Sequence, residues 1–525
     1  MTTFTQAFTQ KRKRELRLIT HVDARKFLLK HGYTTTQNIL PEYYRPSGFD
    51  KINLSPINWT TKNPSVCITK PLVLITPKGR LGWRNFSFIH PYIFLHKVDT
   101  LTERKSWSKI KSLLCKRTLV HSYSVPVMKI KRGQKLTGVG INSWIQMAER
   151  DLIKDAGPFH FLTVTDIQNF YPSIYTHSIS WAIDTKPVAK AQSNRNNYTF
   201  LGNRVDKLFM NSRDGQTNGI PIGSLVSDII AEIILTDVDD KLSKKLREKR
   251  LQKKVIITRY RDDYRVLSRN EEEGHIVIKM LNEILHREYD LHLNSDKTHQ
   301  YSDIIEGSFR PWLLEVRSSP ILRKVYRDDV SECCTTPDLK DCLLAIYSLQ
   351  RKYPDRNVAL TLVSKLANAY SNNSKILKVK SEEIPELVAL LRKLTLLKEE
   401  VTPAVYVILN ILFKKVHLLA DRQALLKTTS FIMTGGSDNA YQLIWYHRLC
   451  WAIAPDLCKD IHKSKTQPLI AVLRGKKADF KIFENCNISN TDNKAMEDFC
   501  MIDKAAFKKL KGKNINPKAM NPFSY

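Results

Sequence analysis

VIITRYRDDYRVL, residues 255–267, is the stretch on which the reading of the fold turns. Two runs rich in branched and aromatic residues, VIITRY (255–260) and YRVL (264–267), flank the trio Arg261-Asp262-Asp263. Such runs favour strands, and the charged trio between them reads as a hairpin turn with Asp262 and Asp263 at its tip. Neighbouring carboxylates at a tip repel unless cations sit between them. Upstream, FLTVT (161–165) reads as another strand, with Asp166 at its end. Laid beside the hairpin, it brings three carboxylates together. That is a site for hard divalent cations with oxygen ligands. Two such ions a few ångström apart promote in-line displacement at phosphorus. A lone Asp in a basic protein is usually a surface salt bridge, and Asp pairs also suit turns. The convergence of three is what points to chemistry.

The rest of the chain supports a polyanionic substrate. Its 525 residues carry a formal net charge of +32, with 42% hydrophobic residues, 18 Gly and 22 Pro. The apolar fraction excludes a disordered basic tail, and the Gly and Pro content excludes a collagen-like chain. Nucleic acid is the first partner such a charge suggests, an acidic membrane surface the second, and a merely basic soluble protein the plain alternative. The most apolar stretch, Val401 to Phe413, is interrupted by Thr402, Pro403 and Asn410 and is too short to span a bilayer, so no membrane partner is expected. The N-terminus, MTTFTQAFTQKRKRELRL, lacks the apolar core of a secretory signal. Nine Cys occur without a CxxC, and Cys333-Cys334 has no partners at zinc spacing. Reduced thiols and a cytoplasmic location are expected.

Texture divides the chain into three. Residues 1–60 read as a basic N-terminal extension, opening with Lys11, Arg12, Lys13 and Arg14. Residues 61–318 mix short strands with amphipathic helices, an α+β pattern. Residues 319–525 are Leu-rich and helical. There Thr336-Pro337 and Thr402-Pro403 each read as an N-cap followed by a first helical residue, and Leu387, Leu390, Leu391 and Leu394 form a stripe. An array of stacked helices of HEAT type and one irregular helical domain both fit. Basic residues gather at 241–254, where Glu248 is the one acid, and in a tail carrying Lys504, Lys508, Lys509, Lys511, Lys513 and Lys518. The 241–254 segment, if helical, reads as basic on every face and so as solvent-exposed or bound to nucleic acid or another subunit.

In order along the chain, four strings resemble the palm motifs of reverse transcriptases: Asp166-Ile-Gln-Asn-Phe-Tyr171, Gly219-Ile-Pro-Ile-Gly223-Ser-Leu-Val-Ser227, Tyr260-Arg-Asp262-Asp263, and Leu291-His-Leu-Asn-Ser-Asp-Lys297-Thr298. Upstream, Pro77-Lys78-Gly-Arg80-Leu-Gly-Trp-Arg84 looks like the fingers strands of that family. The resemblance covers about half the chain. Group II intron and retron enzymes usually carry Gln where this chain has Ile222, and Pro where it has Asp228. With FYPSIYTHS (170–178) and a long helical C-terminal region, the chain is more similar to bacterial abortive-infection and defence-associated reverse transcriptases.

That resemblance implies right-hand polymerase fingers and palm followed by an all-α domain in place of a thumb. It implies RNA-directed or untemplated synthesis of single-stranded DNA from dNTPs, acting against phage, with Mg2+ (two ions, or Mn2+) as cofactor. Asp166, Asp262, Asp263 and the carbonyl of Ile167 are then the metal ligands. Tyr171 is the steric gate against a ribose 2′-OH, against the alternative of plain packing beside Phe170. Gly223 admits the base pair, Gln216 touches template or nucleotide, and Ser227 caps the following helix. Lys297 neutralises or protonates the leaving pyrophosphate. Lys78 and Arg84, with Arg80 as competitor, hold the triphosphate. An RNA template or non-coding RNA, the DNA product and further copies of the chain are the implied partners. In that family some members start synthesis on a protein tyrosine, for which Tyr347, Tyr406, Tyr441, Tyr446 and Tyr525 are candidates here. An RNA polymerase on the same palm and a catalytically vestigial nucleic-acid-binding effector are the alternatives.

Overall fold

The computed structural model describes residues 3–34, 39–79, 82–124, 147, 150–308, 311–430, 440–457, 468–472, 479–483 and 488–509. Arg80, Lys511, Lys513, Lys518 and Tyr525 lie outside them.

Two sheets frame the part of the chain that carries the four motifs. β1 (Leu72–Lys78) and β2 (Gly82–Phe88) form an antiparallel hairpin. The second sheet has five strands: β3 (Val120–Ser122), β4 (Phe161–Asp166), β5 (Val255–Tyr260), β6 (Asp263–Ser268) and β7 (His299–Tyr301), in the order β3-β5-β6-β4-β7. β5 and β6 are the central pair, and β5 is buried along almost its whole length. That is why it opens on three consecutive apolar residues, Val255-Ile256-Ile257, instead of alternating. β3 joins it in parallel and the other pairings are antiparallel.

The 24-residue helix Leu225–Glu248 packs behind this sheet and sinks Ile229, Ile230, Ile233, Ile234, Val238 and Leu242 into the core. Its N-cap is Ser224, whose hydroxyl accepts from the Val226 amide. Ser227, expected to cap it, is buried inside the first turn instead. A buried ion network ties this helix to the sheet. Arg259 on β5 donates to Glu232 and Asp239 from the helix at 2.7–3.3 Å. Tyr264 also donates to Asp239, and Ser122 and Ser124 donate to Glu232. The two anions hold the Arg259 guanidinium well above its ordinary pKa despite its burial.

The basic segment 241–254 differs from its sequence reading. Residues 241–248 are the last turns of that long helix, and Leu242 and Leu246 are fully buried. Lys241 pairs with Asp237 and Lys244 with Asp240, one turn back, while Lys245 reaches Glu283 and Lys254 reaches Glu273. The balancing acids lie just upstream or on another element, outside the window that made the segment look uniformly basic.

The first 60 residues divide between two neighbours. Helices Phe4–Arg17 and His21–His31 pack on the part of the chain that carries the motifs: Asp155 accepts from the Phe4 and Thr5 amides, and Trp107 Nε1 donates to the Ile19 carbonyl. Arg12 and Lys13 of the basic cluster are inside this contact, Lys13 donating to the Lys116 carbonyl. Residues from 39 onward pack against the C-terminal part, through Trp445 Nε1 to the Ile39 carbonyl, a buried Arg448–Glu42 pair and a bridge between Ser47 and Cys500.

From residue 311 on, the described regular elements are helices. Helix Thr336–Lys352 is capped by Thr335, not Thr336, because its hydroxyl accepts from Asp338 while Pro337 sits at the second helical position. Helix Thr402–Phe413 follows directly from a 3-10 turn and so has no side-chain cap. It is buried on all sides, which explains its apolar composition, and no described helix is long and apolar enough to cross a membrane. The described cysteines are free thiols.

Candidate active site

The hairpin turn of β5 and β6 consists of Arg261 and Asp262 alone, since Tyr260 pairs with Asp263. Asp263 is therefore the first residue of β6 and not part of the tip. Arg261 takes the left-handed conformation, φ 49°, a position that costs a non-glycine residue energy and turns its carbonyl back toward Arg259. β4 lies on the other side of β6 in a register that sets Asp166 directly across from Asp263. Like charges opposed across a ladder are destabilising. This sheet ends in such a pair, with Asp262 beside it.

The electrostatic consequences follow. The protein around the Asp263 carboxyl, and then the charges of Asp262 and Asp166, push it up to about 6, although one side of the residue is open to solvent. Burial, reinforced by Asp166, also raises Asp262. Asp166 is 8% exposed; its Oδ2 accepts from Lys297 Nζ at 2.9 Å, while its Oδ1 is buried with no hydrogen-bond partner. Three crowded carboxylates, one with an orphaned oxygen, are the donor set a hard divalent cation satisfies. Asp166, Asp262 and Asp263 thus fit a metal of that class. Ile167 follows Asp166 along the cleft wall, its amide donating to the Asp262 carbonyl.

Asp166, Ile167 and Asp262 line a cleft of about 750 Å³, with Asp263 next to Asp262 but not among the lining residues. The β1–β2 hairpin supplies its cations. Register places Arg84 opposite Thr76, and Lys78 lies two residues along on the same face. Burial lowers the pKa values of both Lys78 and Arg84, reinforced at Lys78 by the charges of Arg84 and Lys297 and at Arg84 by that of Arg261. Cations so placed favour an anionic ligand. β2 is stitched to the second motif, the Ser87 amide donating to the Ile222 carbonyl at 2.9 Å.

After β4 the chain turns through Asn169, φ 45°, into the short helix Phe170–Ser173, which delivers Tyr171 to the cleft wall. Tyr171 is buried, and its hydroxyl donates to Asp228 Oδ1 at 2.6 Å. Arg261 Nη2 donates to the other oxygen of Asp228 at 2.8 Å. Asp228 therefore links the tyrosine to the hairpin that carries Asp262 and Asp263. Sequence reading noted it only as a departure from a proline, because nothing local shows its two distant partners. Gly219 and Gly223 both have positive φ, 83° and 116°. A Cβ on Gly219 would also stand 2.8 Å from the Pro172 carbonyl. Gly223 lines the cleft.

Gln216 is exposed in the preceding turn and is not among the lining residues; Arg213 of the same loop is. Asn294 also lines the cleft. So do four polar residues from the helical C-terminal part: Asn357, Ser364, Glu400 and Tyr441. Glu400 Oε1 accepts from the Gly79 amide at the fingers turn at 2.8 Å and pairs with buried Lys398 at 3.3 Å. Of the named tyrosines, Tyr441 alone among the described residues lines this cleft; Tyr406 and Tyr446 are buried elsewhere.

Residues 110–341 match the family model described as "Reverse transcriptase (RNA-dependent DNA polymerase)". No curated protein matches the sequence. Among solved structures, the chain is similar to apo telomerase from Candida tropicalis at 12% identity, covering 75% of this chain and 69% of that one, TM-score 0.30. It is similar to telomerase from Candida albicans in complex with a fragment of telomeric RNA at 11% identity, covering 74% and 69%, TM-score 0.30. It spans about half, 50%, of a C-terminally truncated C. tropicalis telomerase, at 15% identity and TM-score 0.30. The matched residues, 110–341, contain the five-stranded sheet, the opposed carboxylates and the loops around them.

Proposed function

We propose that the chain is a DNA polymerase of reverse-transcriptase type that adds dNTPs to make single-stranded DNA or cDNA, serving antiphage defence in a bacterial cytoplasm. The observation that carries the polymerase reading is the register pairing of Asp166 with Asp263, beside Asp262, at the edge of a cleft that also holds Lys78, Arg84 and Tyr171. The defence role rests on the motif strings and the helical C-terminal part, read as a HEAT-like array in the place of a thumb.

Divalent ions of the Mg2+ class, held by Asp166, Asp262, Asp263 and the Ile167 carbonyl, would supply the charge that acidifies the attacking hydroxyl and neutralises the leaving pyrophosphate. The chain's own groups do the rest. Lys78 and Arg84 bind the triphosphate oxygens, Arg84 through a fork suited to phosphate. The Tyr171 ring fills the space of a ribose 2′-OH, and Asp228 fixes its hydroxyl. Lys297 holds Asp166 and stands ready to share its charge with the departing pyrophosphate. Tyr441, lining the cleft, is the tyrosine we propose for protein priming. The retained +32 charge supports a bound RNA or a long DNA product on an oligomer.

The test is dNTP incorporation by purified protein with Mg2+, compared with the Asp262→Ala/Asp263→Ala double variant. Incorporation should vanish in the variant; equal incorporation rejects the assignment. Wild-type use of NTPs as readily as dNTPs would make it an RNA polymerase on the same palm. Phage protection that survives the double substitution would make it a binding effector. Mass spectrometry of protease-digested protein after synthesis should find nucleotide on Tyr441, and DNA free of any peptide would reject protein priming.

A further inference from the structure

A second cleft, of about 650 Å³, opens on the other side of the Tyr171–Tyr175 segment. Its walls come from the loop after Tyr171, from helix His177–Asp184, from the turn around Arg195 and from helix Leu201–Asn211. None of its lining residues is shared with the catalytic cleft.

Three features make it a built site. The first is aromatic. Tyr175 is exposed at its mouth, and its ring lies 5.9 Å from Trp181 and edge-on to His177 at 4.8 Å. Tyr198 closes the far wall. The second is cationic. Lys190, Arg195 and Lys207 line the cleft, Lys190 lying 4.9 Å from the Trp181 ring centroid. None of these three cations has an ion-pair partner among the described residues. The third is two unsatisfied polar groups in the wall. Ser180, 3% exposed, has a buried hydroxyl with no partner, and Asp206, 8% exposed, has a buried Oδ1 with none, its Oδ2 being held by His177.

A buried carboxylate oxygen and hydroxyl without partners are costly unless a ligand supplies the missing hydrogen bonds. Asp206 Oδ1 can only accept, so the ligand must present an N–H or O–H. The tyrosine offers a flat surface for stacking, and the three cations offer sites for phosphate oxygens. A nucleobase carries the N–H edge and the flat face together, and its own backbone carries the phosphates. Stacking on an aromatic with a cationic track is how single strands are held without sequence readout.

We propose that this cleft binds a single-stranded nucleic acid, one base stacking on Tyr175 with its N–H donors on Asp206 and Ser180, its phosphates on Lys190, Arg195 and Lys207. The cleft lies beside the polymerase site. The Thr176 amide donates to the Thr217 carbonyl and the Gly219 amide to the Ile174 carbonyl, so the segment that bears Tyr175 is tied to the loop that leads into the catalytic cleft at Ile220. The strand bound here is one entering or leaving the palm.

The proposal does not depend on catalysis, and its test is run without it. A 10-nucleotide strand carrying a single 5-iododeoxyuridine is irradiated with the full-length protein in EDTA, and the crosslinked peptide is identified by mass spectrometry. Crosslinks to Tyr175 or Trp181 are expected, and crosslinks confined to other segments overturn the proposal. Tyr175→Ala should weaken binding of the strand, read by fluorescence anisotropy, by about tenfold, and Tyr175→Phe, which keeps the ring, should not. Lys190→Glu/Arg195→Glu tests the phosphate track on residues whose exposure makes misfolding a poor explanation; unchanged binding there rejects it. If 5-iodo-dUTP alone crosslinks at Tyr175 and the strand does not, the site belongs to a free nucleotide and the strand assignment fails.

Discussion

Asp228 is one carboxylate with two distant partners, the Tyr171 hydroxyl and the Arg261 guanidinium. Replacing it with Asn keeps the shape but leaves one acceptor oxygen for two donors and removes the charge, so the link between Tyr171 and Arg261 is broken. Selection for dNTP over NTP, as the ratio of kcat/KM values, should fall in Asp228→Asn, and by on the order of tenfold or more in Tyr171→Ala, where the ring is gone. Unchanged selectivity in both would remove Tyr171 from the gate. Asp263 makes a second prediction. Its folded-state carboxyl titrates near 6, above the ordinary 3.8. A raised pKa adds stability that is fully present below the unfolded value and is lost as pH rises through the folded one. In EDTA, Asp263→Asn should therefore leave Tm nearly unchanged at pH 4. It should raise Tm relative to wild type as pH passes from about 4 to about 6, on the order of 1 °C at the plateau above. A constant difference across that range would show that Asp263 is not the titrating group. The carboxylates themselves were legible in sequence because Asp166 and the Asp262-Asp263 pair each end a readable strand. Asp228 was not, because its partners lie 57 and 33 residues away and meet it only in space.

The element that carries the Asp262-Asp263 hairpin is held from behind. Arg259 on β5 is fully buried between Glu232 and Asp239 of the long helix. Arg259→Met strands two buried carboxylates and should destabilise the protein by about 3–5 kcal/mol, read as a fall in the denaturant midpoint. A change below about 1 kcal/mol would mean that the network contributes little. Sequence reading found β4, β5 and β6 from their apolar runs. It misplaced Asp263 by putting it in the turn, since a two-residue loop and a three-residue one look alike until the register is known. It misjudged residues 241–254 for a related reason. Charge was counted inside a window, but Lys241 and Lys244 pair with acids four residues upstream, and Leu242 and Leu246 set a buried face.

Across the whole molecule, the C-terminal helices reach the fingers. Glu400 accepts from the Gly79 amide and pairs with buried Lys398. Glu400→Ala removes both contacts and should make the β1–β2 turn more susceptible to limited proteolysis. It should also cost about 3 kcal/mol by leaving the Lys398 ammonium unpaired. Glu400→Gln keeps an acceptor for Gly79 and should protect the turn while sharing the loss of stability. If alanine leaves the proteolysis pattern unchanged, the contact does not hold the fingers.

The sequence by itself determined the strands of the palm, the three carboxylates that end them, the two cations of the fingers hairpin and the helical character of the C-terminal part. Each is written in a local run whose period or spacing is set by backbone geometry. Only the tertiary structure decided that Asp166 faces Asp263, that Asp228 joins Tyr171 to Arg261, that Glu400 and Tyr441 line the same cleft, and that a second cleft exists beyond Tyr175. Those are contacts between segments far apart in the chain. They depend on strand register and on which helix faces are buried, and no single window of sequence contains both sides of such a contact.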